Sequence, residues 1–187
     1  MKITCILGSP RTNGNSAAIA EKFCETAEKK GAEITRFSLN KMNYRGCQGC
    51  MACKLKYDKC ILKDDLDDVL ESVRNSDITV LATPVYFGDV TSQMKGFIDR
   101  TYSFLKPTFY TEPTNASRLG KGKKLIFVMA QGAPKENFGD IFPRYEVFFK
   151  WQFDEVKLLR GCDLVEKNSA KNSKKIMQSA EEMVRNI

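Results

Sequence analysis

The chain contains no histidine. That absence removes Ser-His and Cys-His nucleophile pairs, imidazole acid–base catalysis and any His-ligated metal in one step. Chemistry must then come from a bound cofactor, from thiolates or from carboxylates. Long apolar runs are missing too, the longest being only a few residues, which excludes a membrane-spanning helix. The start, Met1-Lys2-Ile3-Thr4-Cys5-Ile6-Leu7-Gly8, is too short and too polar at its end for a secretory signal. A cytoplasmic protein with no membrane partner is the expectation. No Pro/Gly/Ser linker, repeat or low-complexity tract divides the 187 residues, so one domain over residues 1–187 is expected.

Seven cysteines, an odd number in a chain read as cytosolic, suggest thiols or metal ligands rather than a disulfide framework. Without a secretory signal, Asn115-Ala116-Ser117 is a glycosylation triplet by coincidence. Lys and Arg outnumber Asp and Glu by 30 to 23, a net +7 that suits anionic ligands such as nucleotides or phosphates. The lysines are scattered, and no basic stripe interleaved with aromatics appears, so nucleic acid is not an expected partner.

Hydrophobic periodicity orders the chain. Lys2 to Leu7 reads as a strand closed by a turn at Gly8-Ser9-Pro10, and Ile19, Ala20, Phe23, Cys24 and Ala27 then recur at helical spacing up to Gly31. Glu33 to Leu39 alternates as a second strand. After a cysteine-rich loop, Asp64-Asp65 opens a helix with Leu66, Val69, Leu70 and Val73 on one face, the acids suiting its positive N-terminal end. Ile78 to Thr83, ending at Pro84, is continuously apolar or β-branched, as a strand buried on both faces should be. Met94, Phe97, Ile98, Thr101 and Leu105 mark the next helix, and a long loop over 106–122 leads to a strand from Lys124 to Ala130. Phe142 to Leu159 is aromatic on more than one face. A short strand near Cys162 to Glu166 and a last helix through Ile176, Ala180, Met183, Val184 and Ile187 complete the reading. Five strands alternating with helices predict an α/β fold: a three-layer sandwich around a five-stranded parallel sheet. Ligands of such sheets bind beyond the carboxyl ends of the strands, at the switch in strand order.

Three loops fall there. Gly8 to Ser16, "GSPRTNGNS", supplies hydroxyls, amides, the Arg11 guanidinium and the free N–H groups of a helix start, the parts of a phosphate cradle. It lacks the Gly-Lys-Ser/Thr of a Walker A loop and the GxGxxG of a dinucleotide fold. The end of strand two, Ser38-Leu39-Asn40, lacks the acid that would grip an NAD ribose, so a mononucleotide phosphate fits better. Pro84-Val85-Tyr86-Phe87-Gly88 offers main-chain polar groups beside aromatic faces, which suits a flat heterocycle with polar edges. Gln131-Gly132 flanks the same crevice from strand four.

With "GSPRTNGNS", the cysteine loop followed by Asp64-Asp65, "PVYFG" followed by "MKGFIDR", and the Gly132 loop in this order, the chain resembles the NADPH-dependent FMN reductase and iron-sulfur flavoprotein families, which share a flavodoxin-like fold. The resemblance runs over essentially the whole chain. It implies bound FMN: Ser9, Arg11, Asn15 and Ser16 would hold the phosphate, Pro84, Val85, Tyr86, Phe87 and Gly88 would line the isoalloxazine, and Gln131 and Gly132 would close the far side. Flavin takes hydride at its own N5, which accounts for a protein without histidine, and no catalytic side chain is assigned.

The cysteine loop, "CQGCMACKLKYDKC", places Cys47, Cys50, Cys53 and Cys60 at spacing C-x2-C-x2-C-x6-C. Short gaps let several thiolates converge, and four complete a 4Fe-4S cube. The last gap departs from the bacterial ferredoxin run, and Ile61 rather than Pro follows. Zinc fits less well, because structural zinc sites usually join two separated ligand pairs. The loop resembles the one that holds a 4Fe-4S cluster in iron-sulfur flavoproteins, while similar loops occur in relatives that are plain FMN reductases. Both occupancies stay open here: a cluster, or reduced thiols packed at a subunit contact. Cys5, Cys24 and Cys162 are expected to be small buried hydrophobes.

Two functions follow from the resemblance. One is an NAD(P)H oxidoreductase that passes electrons through FMN to flavin, a quinone or another small acceptor. The other is an electron carrier with FMN plus a 4Fe-4S cluster and a ferredoxin-like redox partner. A flavin-binding module without turnover is the third reading. The aromatic excess between Phe142 and Leu159 is expected to form either a subunit interface, of a homodimer or a dimer of dimers, or a thick core helix.

Overall fold

The computed structural model describes all residues, Met1 to Ile187. Five strands form one sheet: β1 (Lys2–Leu7), β2 (Glu33–Ser38), β3 (Ile78–Pro84), β4 (Lys124–Ala130) and β5 (Glu155–Gly161). Every neighbouring pair is parallel, and the order is β2-β1-β3-β4-β5. This is the doubly wound arrangement, whose switch point lies between β1 and β3. The helices are α1 (Asn15–Glu28), α2 (Ala52–Leu55), α3 (Leu66–Asn75), α4 (Ser92–Arg100), α5 (Ile141–Phe149), α6 (Ser169–Asn172) and α7 (Lys174–Arg185), with 3-10 turns at Leu39–Lys41, Thr101–Phe104 and Pro113–Asn115.

The side-chain alternation of each strand sends its residues to two separate cores. Ile3 and Cys5 of β1 and Ile126, Val128 and Ala130 of β4 face α1, α6 and α7, where Phe23, Ile176, Ala180 and Val184 meet them. Ile6 of β1 and Leu125, Phe127 and Met129 of β4 face the other way, onto α3, α4 and α5 through Leu66, Val69, Phe97, Tyr145 and Phe149. A continuous apolar run such as Leu125 to Ala130 is therefore covered on both sides, which is what a central parallel strand needs. Each large side chain buried this way contributes about 1.5–3 kcal/mol. A third, small cluster of Leu105, Phe109 and Ala116 packs under Tyr102 and Trp151 and folds the 106–122 loop onto the body.

The three-layer sandwich with a five-stranded parallel sheet is as expected, and β1, β3 and β4 fall on the runs that predicted them. The fifth strand does not. It lies at Glu155–Gly161, overlapping the end of the aromatic stretch from Phe142 to Leu159, for which the sequence predicts a subunit interface or a core helix, and Cys162 to Glu166 is a loop. As an edge strand paired only with β4, β5 is half covered, and its paired Leu158-Leu159 breaks the alternation that would have marked it. The aromatic stretch thus divides into α5, a turn and β5. Cys162 is half-buried rather than buried, whereas Cys5 and Cys24 are in the core. A hydrogen bond between those two thiols, with burial, pushes the Cys5 thiol well up.

Candidate functional site

The carboxyl ends of β1, β3 and β4 open into a cavity of about 610 Å³, a size typical of cofactor sites. The loop that lines it leaves β1 through Gly8. The Gly8 N–H extends the sheet ladder to the Ala82 carbonyl at 2.8 Å, and its own carbonyl accepts from Thr91 Oγ1 at 2.6 Å. A β-carbon here would stand 2.8 Å from Met94 Cβ, so only glycine lets the first loop lie against the start of α4. The chain then turns through Ser9, Arg11 and Asn13 into α1.

Helix α1 is left uncapped. Gly14 occupies the N-cap without a side-chain hydrogen bond, and the first turn carries no acid. Its first N–H groups and the positive end of its dipole therefore face the cavity free of internal partners. Ser16 adds a second signal, because its Oγ is buried, lines the cavity and has no hydrogen-bond partner. Arg11, exposed and free of any ion pair, stands at the same rim. Ser9 Oγ accepts from the Arg11 N–H at 3.1 Å, which shapes the turn and leaves the hydroxyl proton available. Donors, a cation and a helix start converge at this end of the cavity, a combination whose chemistry suits an anion.

Asn15 has a different role from the one its loop suggests. Its Nδ2 donates to the carbonyls of Leu164 (3.0 Å) and Glu166 (3.1 Å), and its Oδ1 accepts from the Ala170 N–H at 3.0 Å. The amide is fully committed to the 164–170 segment, and only its main chain remains for an anion. The same holds for Gln131. Its Nε2 donates to three carbonyls, of Ala133, Pro134 and Asn137, while its Oε1 accepts from Arg160 at 2.8 Å. Gly132 lines the cavity itself.

In the second loop, Pro84, Val85 and Tyr86 line the cavity, whereas Phe87 and Gly88 do not. They are the two central residues of a tight hairpin in which Tyr86 and Asp89 exchange main-chain hydrogen bonds, with φ of 48° and 81°. Such a turn demands positive φ twice. Gly88 adopts it freely, but Phe87 pays conformational strain and points fully outward at 110% exposure. Asp89 fixes the hairpin to α5 by accepting from the Tyr145 hydroxyl at 2.8 Å; burial and that bond push the Tyr145 phenol up.

Leu164, Val165, Glu166 and Lys167 form the far wall of the cavity and were missed by sequence reasoning, which put a strand there. A signal existed: Asp163 and Asn168 bracket the segment at φ 58° and 68°, a left-handed conformation that Asp and Asn tolerate best.

The cysteine loop forms a separate site. Tyr44 donates to the Gln93 carbonyl at 2.7 Å, and a β-carbon on Gly46 would lie 3.8 Å from Gly96 Cα, so the loop starts pinned to α4. Burial pushes the Tyr44 phenol up to about 12. Left-handed Gly49 and Met51 then wrap the chain around a small cavity of about 30 Å³ lined by Cys47, Cys50, Cys53 and Cys60 together with Arg100 and Tyr102. The four sulfurs share that cavity, although no three acidic or thiol groups stand in the arrangement of a single-ion site. The donor set suits a polynuclear centre with thiolate ligands. Basic side chains hold the loop: Arg118 donates to the Cys53 carbonyl at 2.8 Å, Arg100 to the Arg45 carbonyl at 2.9 Å, and Lys54 to the carbonyls of Tyr102 and Leu105. Burial pushes the Lys54 ammonium down.

Residues 1–186 match the family model described as having a flavodoxin-like fold. The chain belongs to that family. Among curated relatives, it is similar to an iron-sulfur flavoprotein of Archaeoglobus fulgidus, at 39% identity over 100 residues, covering 54% of this chain and 45% of the relative. The chain spans about half the length of the curated relatives it matches. Among solved structures it is similar to an NAD(P)H:quinone oxidoreductase from Methanothermobacter marburgensis, with TM-score 0.77 at 16% identity over 100% of this chain and 95% of the other. An FMN-dependent NADH-azoreductase from Bacillus anthracis superposes with TM-score 0.71 at 13% identity, over 100% and 99%. No helix of the chain is long and apolar enough to cross a membrane.

Proposed function

We propose that the chain binds FMN in the cavity beyond β1, β3 and β4 and is an oxidoreductase that passes electrons from NAD(P)H to flavin, a quinone or another small acceptor. The observation that carries this reading is the convergence, at one end of a cofactor-sized cavity, of an uncapped helix start, the unpartnered Ser16 hydroxyl and the free Arg11. An anionic phosphate meets all three. Ser9, Arg11, Ser16 and the Asn15 main chain hold it. Pro84, Val85 and Tyr86 supply a wall with one aromatic ring for the isoalloxazine, the N–H groups of Val85 and Tyr86 being bonded to the Ala130 and Asp89 carbonyls, while Gly132 and the 164–167 segment close the opposite side. The Gln131 and Asn15 side chains orient those walls, and Asn15 meets the ligand through its main chain alone. Phe87, standing outside the cavity, offers its face to a donor, an acceptor or a second subunit. The names of the similar proteins, two of which specify FMN or NAD(P)H, support the reading.

Bound FMN supplies hydride acceptance at N5 and onward transfer of electrons singly or in pairs. The chain's own part is positional. The free N–H groups of α1 balance the phosphate charge, the walls exclude water from one face of the ring, and no side chain has to move a proton.

A second reading is favoured by the cysteine cavity: an electron carrier with FMN in which Cys47, Cys50, Cys53 and Cys60 hold a 4Fe-4S cluster and exchange electrons with a ferredoxin-like protein. Four thiols lining one cavity with buried cations support it, as does the name of the Archaeoglobus relative. The exposed Val147 and Phe148 of α5, with Trp151 edge-to-face against Phe148 and Tyr110 edge-to-face against Trp151, support a homodimer or a dimer of dimers.

Anaerobic purification followed by a visible spectrum and an iron and acid-labile sulfide assay tests both readings. Flavin bands with NAD(P)H-driven reduction of a quinone support the first. Flavin bands with about four irons per chain, reduced by ferredoxin but not by NAD(P)H, support the second. A chain that binds no flavin refutes the assignment of the cavity.

A further inference from the structure

Lys54 follows Cys53 directly, yet its side chain turns inward and is only 9% exposed. The ammonium Nζ donates to the carbonyls of Tyr102 at 2.6 Å and Leu105 at 2.7 Å, lies 4.0 Å from the centroid of the Tyr102 ring, and is 3.7 Å from Cys53 Sγ. It takes part in none of the ion pairs of the molecule. A buried cation without an acid is expensive, and carbonyl dipoles offset only part of that cost. The groups near it that can carry negative charge are cysteine sulfurs, those of Cys53 and Cys47.

Arg100, on the wall of the cysteine cavity, repeats the pattern in part. Arg100 is 1% exposed and shares its guanidinium between Asp64 and two carbonyls, but its Nε is buried with no hydrogen-bond partner and the Cys60 thiol stands beside it. Two buried cations thus flank four sulfurs with a single carboxylate between them. Asp64 balances Arg100, but a neutral set of thiols leaves the Lys54 charge without a countercharge. A 4Fe-4S centre with four thiolates carries net negative charge, which grows by one unit on reduction, and an adjacent positive charge stabilises the reduced form more than the oxidised one.

We propose that Lys54 is the countercharge of an iron-sulfur centre held by Cys47, Cys50, Cys53 and Cys60, a positioning residue that raises the centre's reduction potential. The proposal rests on the cluster reading above. It is tested by anaerobic preparation of the full chain as wild type and as Lys54→Gln, Lys54→Met and Lys54→Arg, with iron, sulfide and FMN assayed on each and the midpoint potential of the centre followed by EPR during a redox titration. Gln keeps a donor to the carbonyls without the charge, and Arg keeps the charge.

The expected result is full iron in Gln and Met with a lower midpoint. The reduction equilibrium falls by at least about tenfold, which is about 59 mV for a one-electron couple, and Arg stays near wild type. Loss of iron in Gln and Met with retention in Arg also supports the proposal. Full iron and an unchanged midpoint in Gln and Met overturns it, as does equal loss of iron in all three variants, which would mean that Lys54 only fills space. Wild-type protein carrying FMN but no iron overturns the cluster reading itself, and the assay on wild type distinguishes that failure from the failure of Lys54's role.

Discussion

Replacing Asp64 by Asn removes one charge from the most buried ion pair of the molecule and nothing else of its shape. Asp64 Oδ2 accepts from Arg100 Nη1 at 2.8 Å and from the Arg45 N–H at 3.2 Å, and its Oδ1 accepts from the Leu66 N–H at 3.1 Å. The Arg100 side chain is fully shielded from solvent and that of Asp64 is 13% exposed. In the variant the guanidinium stays buried with no counterion. Breaking such a pair from one side costs about 3–5 kcal/mol. For a chain of this size, with a urea slope of about 2–3 kcal/mol/M, the midpoint falls by about 1–2.5 M, and the melting temperature by about 6–20 °C.

The pH dependence sharpens the test. Burial pushes the Asp64 carboxyl up, but the hydrogen bonds from Arg100 and the Arg45 N–H, with the arginine's charge, outweigh it and hold the carboxyl below its usual value. A depressed folded-state pKa gives stability that is present above the unfolded value, about 3.9, and lost as the pH falls through the folded one. The gap between wild type and Asp64→Asn should therefore be full at neutral pH and close in acid. Urea titrations of both proteins from pH 3 to pH 7 read it directly. A midpoint within about 0.3 M of wild type at pH 7, with an unchanged slope, refutes the reasoning.

Further outcomes follow from the cavity. Ser16→Ala deletes a buried hydroxyl that has no partner in the free protein, so the unliganded chain should melt no lower than wild type, while FMN dissociation, read by fluorescence titration, rises about 10–100-fold through loss of a hydrogen bond to a charged group. The opposite pattern would make the residue structural. Asn15→Ala removes three hydrogen bonds to the 164–170 segment, and about 1–3 kcal/mol of stability should go with them. Faster amide exchange confined to that segment is the signature, and unchanged exchange there would contradict it. Phe87→Asn relieves a left-handed aromatic residue that packs against nothing; stability rises by about 1 kcal/mol, and a lower melting temperature would mean that the ring is supported after all.

How much was legible beforehand depends on where each residue's partners lie. The buried strands announce themselves because Ile78 to Thr83 and Leu125 to Ala130 must be apolar on both faces, whatever surrounds them. The edge strand β5 escaped because half of it faces water and its Leu158-Leu159 pair mimics a helical face. In the site, the first loop was readable from its composition, since an anion site needs little more than small residues and a helix start. The roles of Asn15 and Gln131 were not. Each amide finds its partners in carbonyls set by the tertiary fold, for Asn15 some 150 residues away, and no local pattern encodes that choice. Lys54 was hidden for the same reason, because a lysine next to a cysteine reads as a solvated surface charge until Tyr102 and Leu105 fold over it.

The tether between Asn15 and the 164–170 segment bears on how a ligand enters and leaves. The sheet lies on the near side of the cavity and opens only with the whole molecule, but the far wall beyond the buried Leu164 hangs from α1 by the Asn15 amide and from the loop after β4 by the main-chain bonds of Asp163 to Ala133 and Leu164 to Gln131. Local opening of such a segment requires far less free energy than global unfolding. The lifetime of a ligand in this cavity would thereby be separated from the stability of the fold that holds it, and substitutions at the exposed Val165, Glu166 and Lys167 would retune exchange without loosening the sheet.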